Sequence, residues 1–454
     1  MHKQFFPTGT RRGMFMILPL KYDSRIPLLN FSADSLNLPI AENQPNFQSA
    51  DFIQLMNHKC ASDGNFVRRW VLNLPSDFIK LTNQGELVPL AFTNFQVFIF
   101  NHGIAFLTVY LEYPNSETST VYKFFQPGYT VQAGAELRAS FINQIQSEVL
   151  DHINPRLEWF TDNHHEDNDA DTNIYLSDLI TKDAYRMNVA YAPSRFTSPE
   201  ELQQPTYNLH RMVDLNREFT DSSEHDLAYV TGAKDVDDEH YGWGCAITSQ
   251  ELSYVYAPNG APLPTRANDD LLLLILVMYQ KYESMSINEK IHSRYMIINE
   301  KIHSRYMSIN EKIHSRYMKA NERSPASIRQ LKQEALQLIA YETLAPSQIS
   351  RWNNVCEIYR NLLNLTGVDE TITEVKDKVT LLTDEQDRSD AARDNAISMV
   401  ITVFGLVSII SAILQTVDYL DSRSPVMWIS FIGSLVVVLV FGIYLGMRWT
   451  HKRG

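Results

Sequence analysis

Two stretches near the C-terminus carry no charged residue: AISMVITVFGLVSIISAILQTV over 396–417 and VMWISFIGSLVVVLVFGIYLGM over 426–447. A helix needs roughly 20 apolar residues to cross the hydrocarbon core of a bilayer, and both runs are that long. They predict a first transmembrane helix over 395–417, an extracytoplasmic loop over 418–425, a second transmembrane helix over 426–447 and a basic tail over 448–454. Arg448, Lys452 and Arg453 in that tail put it on the cytoplasmic side of the cell's inner (plasma) membrane, and the N-terminal part then lies there too. Tyr419, Trp428, Tyr444 and Trp449 fall near the span ends, where amphipathic rings prefer the headgroups of membrane lipid.

Charge narrows the partners of the remainder. Forty Lys and Arg against 53 Asp and Glu give a net charge of -13, which argues against a nucleic-acid polymer, whose phosphates demand neutralisation. Cys60, Cys245 and Cys356 are far apart and form no CxxC pair, so neither a disulfide framework nor a zinc knuckle is indicated. The apolar run 14–20 is too short for a signal peptide and reads as a first β-strand.

Within the first span, Asn395, Ser398, Thr402, Gly405, Ile409, Ala412 and Thr416 recur at alternating spacings of three and four, so they share one helix face. That face is small and polar. In hydrocarbon it either packs helices closely or lines water. The second span is mostly branched aliphatic and aromatic, with a small-xxx-small pair at Gly442 and Gly446, and reads as the outer helix.

Upstream, Val368, Ile372, Val375, Val379 and Leu382 form a heptad seam, predicting one stalk helix that runs from about residue 369 into the membrane. Asp384, Asp387, Asp390 and Asp394 would collar its inner end; such a collar either concentrates cations or is a solvated helix surface. Two shorter helices precede it within 324–394, one opened by Ser324-Pro325 and ending before Pro346, the next started by Ser347 and closed by Gly367. Earlier still, INEKIHSRYM occurs three times at a period of eleven, from Ile287, Ile298 and Ile309. Eleven residues make three helical turns, so a long helix over 268–323 keeps its Ile and Tyr stripe in phase. His292, His303 and His314 are then about 16 Å apart, too far for a shared metal.

The N-terminal part, 1–260, has a period of two. FQVFIFNHGIAFLTVYLEY over 95–113 predicts a hairpin turning at Asn101, His102 and Gly103, and YGWGCAITSQELSYVYA a second turning near 249–251. Between them Leu137, Phe141, Ile145 and Val149 mark a helix face, so the fold class expected is a cytoplasmic α+β domain followed by a long helical stalk and two transmembrane helices. Asp167, Asp169, Asp171 and Asp178 match four positions of a calcium loop, but Thr172 stands where glycine is needed, and an acidic loop is the better reading. Neighbouring His164 and His165 splay apart. No P-loop, complete GxGxxG, HExxH or GxSxG is present, so the chain is not read as an enzyme.

A cytoplasmic α+β domain, a set of helices, one long helix entering the membrane, a second span and a short basic tail together resemble the CorA family of magnesium transporters. The resemblance rests on element order and lengths from about residue 269 to the end. It implies a homopentamer whose first spans, with Asn395, Ser398, Thr402, Gly405, Ile409, Ala412 and Thr416, surround a pore, with magnesium or another divalent cation as the transported ion. The Gly-Met-Asn signature of that family is absent: its place reads QTVDYLDSRSP, with Asp418 and Asp421 as the acids of the outer loop and Arg423 beside them. Two functions follow from the resemblance. One is an oligomeric cation channel or transporter. The other is a divergent effector whose cytoplasmic domain binds a small signalling ligand and opens a poorly selective pore; relatives of that kind stand beside antiviral defence systems and respond to nucleotide signals.

Overall fold

The computed structural model describes residues 11–24, 35–38, 49–56, 59–60, 64–74, 79, 82–83, 86–87, 90–113, 121, 141, 143–150, 154, 156–160, 185–211, 227–234, 239–258, 260–306, 328–339, 344–381, 383, 398–399, 401–402, 405 and 411. The chain forms two units, Met1–Lys376 and Asp377–Gly454.

In the first unit, strand β1 (Arg11–Lys21) is apolar on both faces. Phe15 and Ile17 enter one core, Met14, Met16, Leu18 and Leu20 the other. Such a strand needs cover on both sides, which puts it in the middle of a sheet. The other strands of this sheet are β2 (Ser35–Leu38), β3 (Val67–Leu72), β4 (Ala91–Phe100), β5 (Ile104–Glu112), β6 (Glu158–Trp159), β7 (Tyr185–Tyr191), β8 (Ala228–Thr231), β9 (Trp243–Ile247) and β10 (Glu251–Tyr256). Their order is β8-β9-β10-β7-β1-β5-β4-β3-β2, with β6 pairing the end of β1. Neighbours are antiparallel except β7 and β10, which run parallel with Arg186 opposite Glu251. This is an α+β arrangement around a mixed sheet. Besides α1 (Ala50–Met56), a helix α2 (Pro199–Arg211) follows β7 and lies over β10 and β9.

Both expected hairpins are present. β4 and β5 turn at Asn101, His102 and Gly103; Gly103 has φ +88°, and a Cβ there would sit 2.7 Å from the Tyr22 carbonyl oxygen. Only glycine fits that position. β9 and β10 turn over 248–250.

The long helix α3 (Asn268–Tyr306) begins inside the sheet domain. Every residue of its run 271–278 is at most 1 % exposed, so the run is enclosed on all sides. Phe100 stacks on Tyr279 with centroids 4.1 Å apart, and Phe106 meets Tyr282 edge-on at 5.7 Å. Helices α4 (Ile328–Gln337) and α5 (Asn353–Leu365) cover it from the other side, through Lys290 Nζ to Glu334 Oε2 at 3.0 Å and Gln280 Nε2 to Tyr359 Oη at 3.0 Å. The boundary expected near residue 260 therefore falls inside the first unit. An apolar run too short for a bilayer finds its apolar surroundings in the sheet. Ile287 and Ile291, the first positions of the repeat stripe, are also buried, and the third repeat lies outside the described residues.

The single helix expected from Ser347 to Gly367 is two, Pro346–Ile349 and α5. They part at Ser350, whose backbone is extended and whose Oγ accepts the Trp352 N–H at 3.1 Å. A serine that bonds nearby backbone competes with helix continuation. At the far end Gly367, at φ +75°, closes α5 as its sequence predicts. On the opposite face of the sheet, Phe141, Ile145 and Val149 share a buried face, with a π-helical stretch at Ile145–Leu150.

In the second unit, among the described residues, no helix is long and apolar enough to cross a membrane. Most of the first predicted span and all of the second lie outside them, as do Asn395, Ile409, Ala412, Thr416, Asp418, Asp421, Asp384, Asp387, Asp390 and Asp394. Ser398, Thr402 and Gly405 are helical. Ser398 and Thr402 are exposed, Thr402 Oγ1 donates to the Ser398 carbonyl at 2.8 Å, and a Cβ at Gly405 would meet nothing within 4 Å.

Candidate ligand-binding site

The sequence between β10 and α3 reads PLPTRANDD. Pro262 and Pro264 favour a single tight turn, Leu263–Arg266, and the Leu271 N–H to Ala267 carbonyl bond carries the backbone on into α3. This turn delivers Arg266, Asn268, Asp269 and Asp270 to one place. Arg266 lies over the Tyr256 ring, 4.5 Å from its centroid, and Tyr256 Oη donates to Asp270 Oδ2 at 2.7 Å.

Here a cavity of about 840 Å³ opens at the start of α3. Arg69 and Val71 of β3 and Asn94 and Gln96 of β4 form one wall; Trp243 of β9, with Ala233, forms another; Trp352, Asn354 and Val355 come from the start of α5. Strands from both halves of the sheet order reach it, so the sheet curls around the helix start. Trp243 is held edge-on to Tyr254 at 5.7 Å, and its indole passes so close to Gly232 that a Cβ there would lie 2.9 Å from Nε1. Asn354 is fixed by donating to the Thr231 carbonyl at 3.4 Å and accepting the Val355 N–H at 3.0 Å.

The electrostatics follow from burial. Asp270 is pushed up to about 6 by desolvation, which Arg266 and the two tyrosine hydroxyls only partly offset. Asp269 is raised by the same cause, again against Arg266. Burial works to lower the Arg266 pKa, but Tyr256, Asp270, Tyr191 and Tyr254 together hold it up. The site thus offers cationic, anionic, amide and indole groups around one space, at a volume ordinary for small-molecule pockets.

A second polar cluster lies on the other face of the sheet under α2. Arg186 Nε bonds Glu251 Oε2, and His210 Nε2 approaches Glu251 Oε1 at 3.4 Å. His210 Nδ1 meets Ser253 Oγ at 2.9 Å, and Asn188 Nδ2 donates to the same oxygen at 2.9 Å. Serine, histidine and a carboxylate in sequence of contact resemble a hydrolytic triad. Ser253 and Asn188 are fully buried and His210 is 1 % exposed, however, so nothing reaches the hydroxyl. The cluster pins α2 to the sheet.

Among the described residues, no group of three or more His, Cys, Asp or Glu could hold a metal ion. The acidic loop around Asp167–Asp178, with His164 and His165, lies outside them. Cys245 and Cys356 are buried free thiols. Sequence reading passed over the cavity residues because each has an ordinary local role: Asp269 and Asp270 look like first-turn acids, Trp243 like core. The available signal was Gln96, an amide inside the apolar strand FTNFQVFIF. No family model matches the chain, and no curated protein matches it.

Proposed function

We propose that this chain is a CorA-like oligomeric membrane channel opened by a small signalling ligand, a nucleotide, bound in its N-terminal unit. The observation that carries ligand gating is the cavity at the start of α3. Indole faces stack on bases, guanidinium groups take phosphate, and amides read base edges, and this wall holds all three. Conduction rests on the charge-free runs 396–417 and 426–447, with the face from Asn395 to Thr416 lining the pore of a homopentamer. Asp418 and Asp421 in place of Gly-Met-Asn would draw cations without a magnesium filter, so the open pore is poorly selective. The acids Asp384, Asp387, Asp390 and Asp394 favour a second reading, a steady transporter of divalent cations with magnesium as substrate.

The deciding experiment is reconstitution in liposomes, with magnesium and potassium flux measured with and without adenosine monophosphate. Flux of both ions only when nucleotide is present is expected. A steady magnesium-selective flux overturns gating in favour of transport, and no flux under any condition overturns the channel. Cysteines placed at Thr402 and Ile409 should react with water-soluble thiol reagents while one at Val403 stays protected; uniform protection removes the pore face.

A further inference from the structure

We propose that Arg266 is the phosphate anchor of this cavity and that Asp269 and Asp270 beside it restrict the ligand to one phosphate, so that the site takes a nucleoside monophosphate and rejects the triphosphate. The inference rests on the nucleotide reading above and adds which residue holds the phosphate and how much negative charge the site admits.

Arg266 ends the tight turn before α3, is partly exposed and lies on the cavity wall. Its guanidinium sits over the Tyr256 ring, 4.5 Å from the centroid, and the same tyrosine donates from Oη to Asp270 Oδ2 at 2.7 Å. One ring thus carries the cation on its face and the carboxylate at its edge. The two charges influence each other without bonding, for among the described residues Arg266 makes no hydrogen bond and no ion pair. Its nitrogens are also absent from the buried polar atoms that lack a partner, so these unengaged donors are open to solvent. A planar fork of donors, steadied by an aromatic face and accessible, suits bidentate contact with a phosphate.

The rest of the wall limits what can follow that phosphate. Its charged side chains are Arg69, Arg266, Asp269 and Asp270, so cations and anions balance. Arg69 is already engaged within the fold. A first phosphate finds Arg266; a second and a third would add negative charge beside Asp269 and Asp270, with no further uncommitted cation among the described wall residues. Asp270 is buried and Asp269 half-buried, where water screens charge poorly. Like charges brought together in this way exclude a wrong partner. Trp243 and Trp352 would hold the base of either nucleotide equally, so discrimination falls to the phosphate end. Such a site keeps the triphosphates abundant in any cell from opening the channel.

The test is calorimetric titration of the full chain in detergent at pH 7.5 with adenosine, adenosine monophosphate and adenosine triphosphate, each to millimolar concentration. EDTA is present so that no metal bridges phosphate to carboxylate. The monophosphate is expected to bind at least about tenfold tighter than either of the others. Arg266→Met should bring the monophosphate within about twofold of adenosine, and Asp269→Asn should bring the triphosphate within about threefold of the monophosphate. Four results overturn this inference and leave the nucleotide reading standing: adenosine binding as well as the monophosphate, the triphosphate binding as well or better, a tenfold gain from the phosphate surviving in Arg266→Met, or an unchanged gap in Asp269→Asn. Binding of none of the three overturns both. Should Arg266→Met not fold, the series on the unsubstituted protein and on Asp269→Asn still decides.

Discussion

One strand, β10, serves two buried carboxylates from opposite faces, and they behave oppositely. On the α2 side Glu251 itself points from the strand into Arg186, His210 and Asn188. Burial works to raise its pKa, yet Arg186 and His210 outweigh that and hold it below the usual carboxylate range. On the α3 side the strand contributes Tyr254 and Tyr256 to Asp270, and there burial prevails, pushing the group up to about 6. The difference is the cation. Arg186 engages Glu251 directly, whereas Arg266 is divided among the Tyr256 ring, Asp269 and Asp270. A carboxylate matched by its surroundings holds the fold together. One left short of compensation at a cavity is free to respond to what enters.

The sharpest way to break this comparison is Glu251→Gln. It leaves Arg186 mostly buried beside a neutral amide, and loss of one partner of a buried pair costs about 3–5 kcal/mol. Urea unfolding at pH 7 measures it. A loss under about 1 kcal/mol would mean that the cluster is no anchor for α2.

Asp270→Asn should act in the other direction. With a folded pKa near 6 against an ordinary value of 3.8, the folded protein binds the proton more tightly than the unfolded chain. Stability therefore falls as pH rises from about 4 to 6, and the deficit persists at pH 7. The amide removes this charge cost, for a gain of about 3 kcal/mol at pH 7.5 that shrinks almost to nothing at pH 4. Glu251 has the opposite sign: its contribution is present above the ordinary glutamate pKa and fades as pH falls through its lowered folded value. Unfolding curves of both variants across pH 3.5–7.5 separate the two slopes. Parallel slopes would show that the two carboxylates do not differ as described.

The smallest expected effect on stability is at Trp352, which is 44 % exposed. Trp352→Ala should cost less than about 1 kcal/mol, since surface substitutions seldom cost more, yet weaken adenosine monophosphate binding about tenfold by loss of a stacking face. Binding left intact would remove the α5 wall from the site. Ser253→Ala is its mirror image. It should leave nucleotide affinity unchanged and cost about 1–2 kcal/mol, because a buried hydroxyl that meets both His210 and Asn188 is lost.

Local pattern made some elements legible. Both hairpins follow from alternation and from Gly103, the glycine stop at Gly367 closes α5, and the burial of Val368, Ile372 and Val375 follows the heptad seam. The helix break at Ser350 was not legible, because Gln348 to Leu365 is helix-compatible throughout and a single serine seldom decides a boundary. Nor was the candidate site. Its residues come from positions as distant as Arg69, Gln96, Trp243, Asp270 and Trp352, and no spacing in a linear chain records that a sheet curls.

The sequence by itself determined the charge-free runs, their separation, the absence of Gly-Met-Asn and the repeat that keeps a helix in phase, since these are properties of neighbours along the chain. Only the tertiary structure decided that the run 271–278 is the centre of the sheet domain and that two carboxylates served by one strand meet different fates. It also decided that Arg266, on the cavity wall, pairs with no carboxylate among the described residues. Burial and hydrogen-bond partnership depend on what the rest of the fold brings within a few ångströms, and that is settled by packing rather than by order.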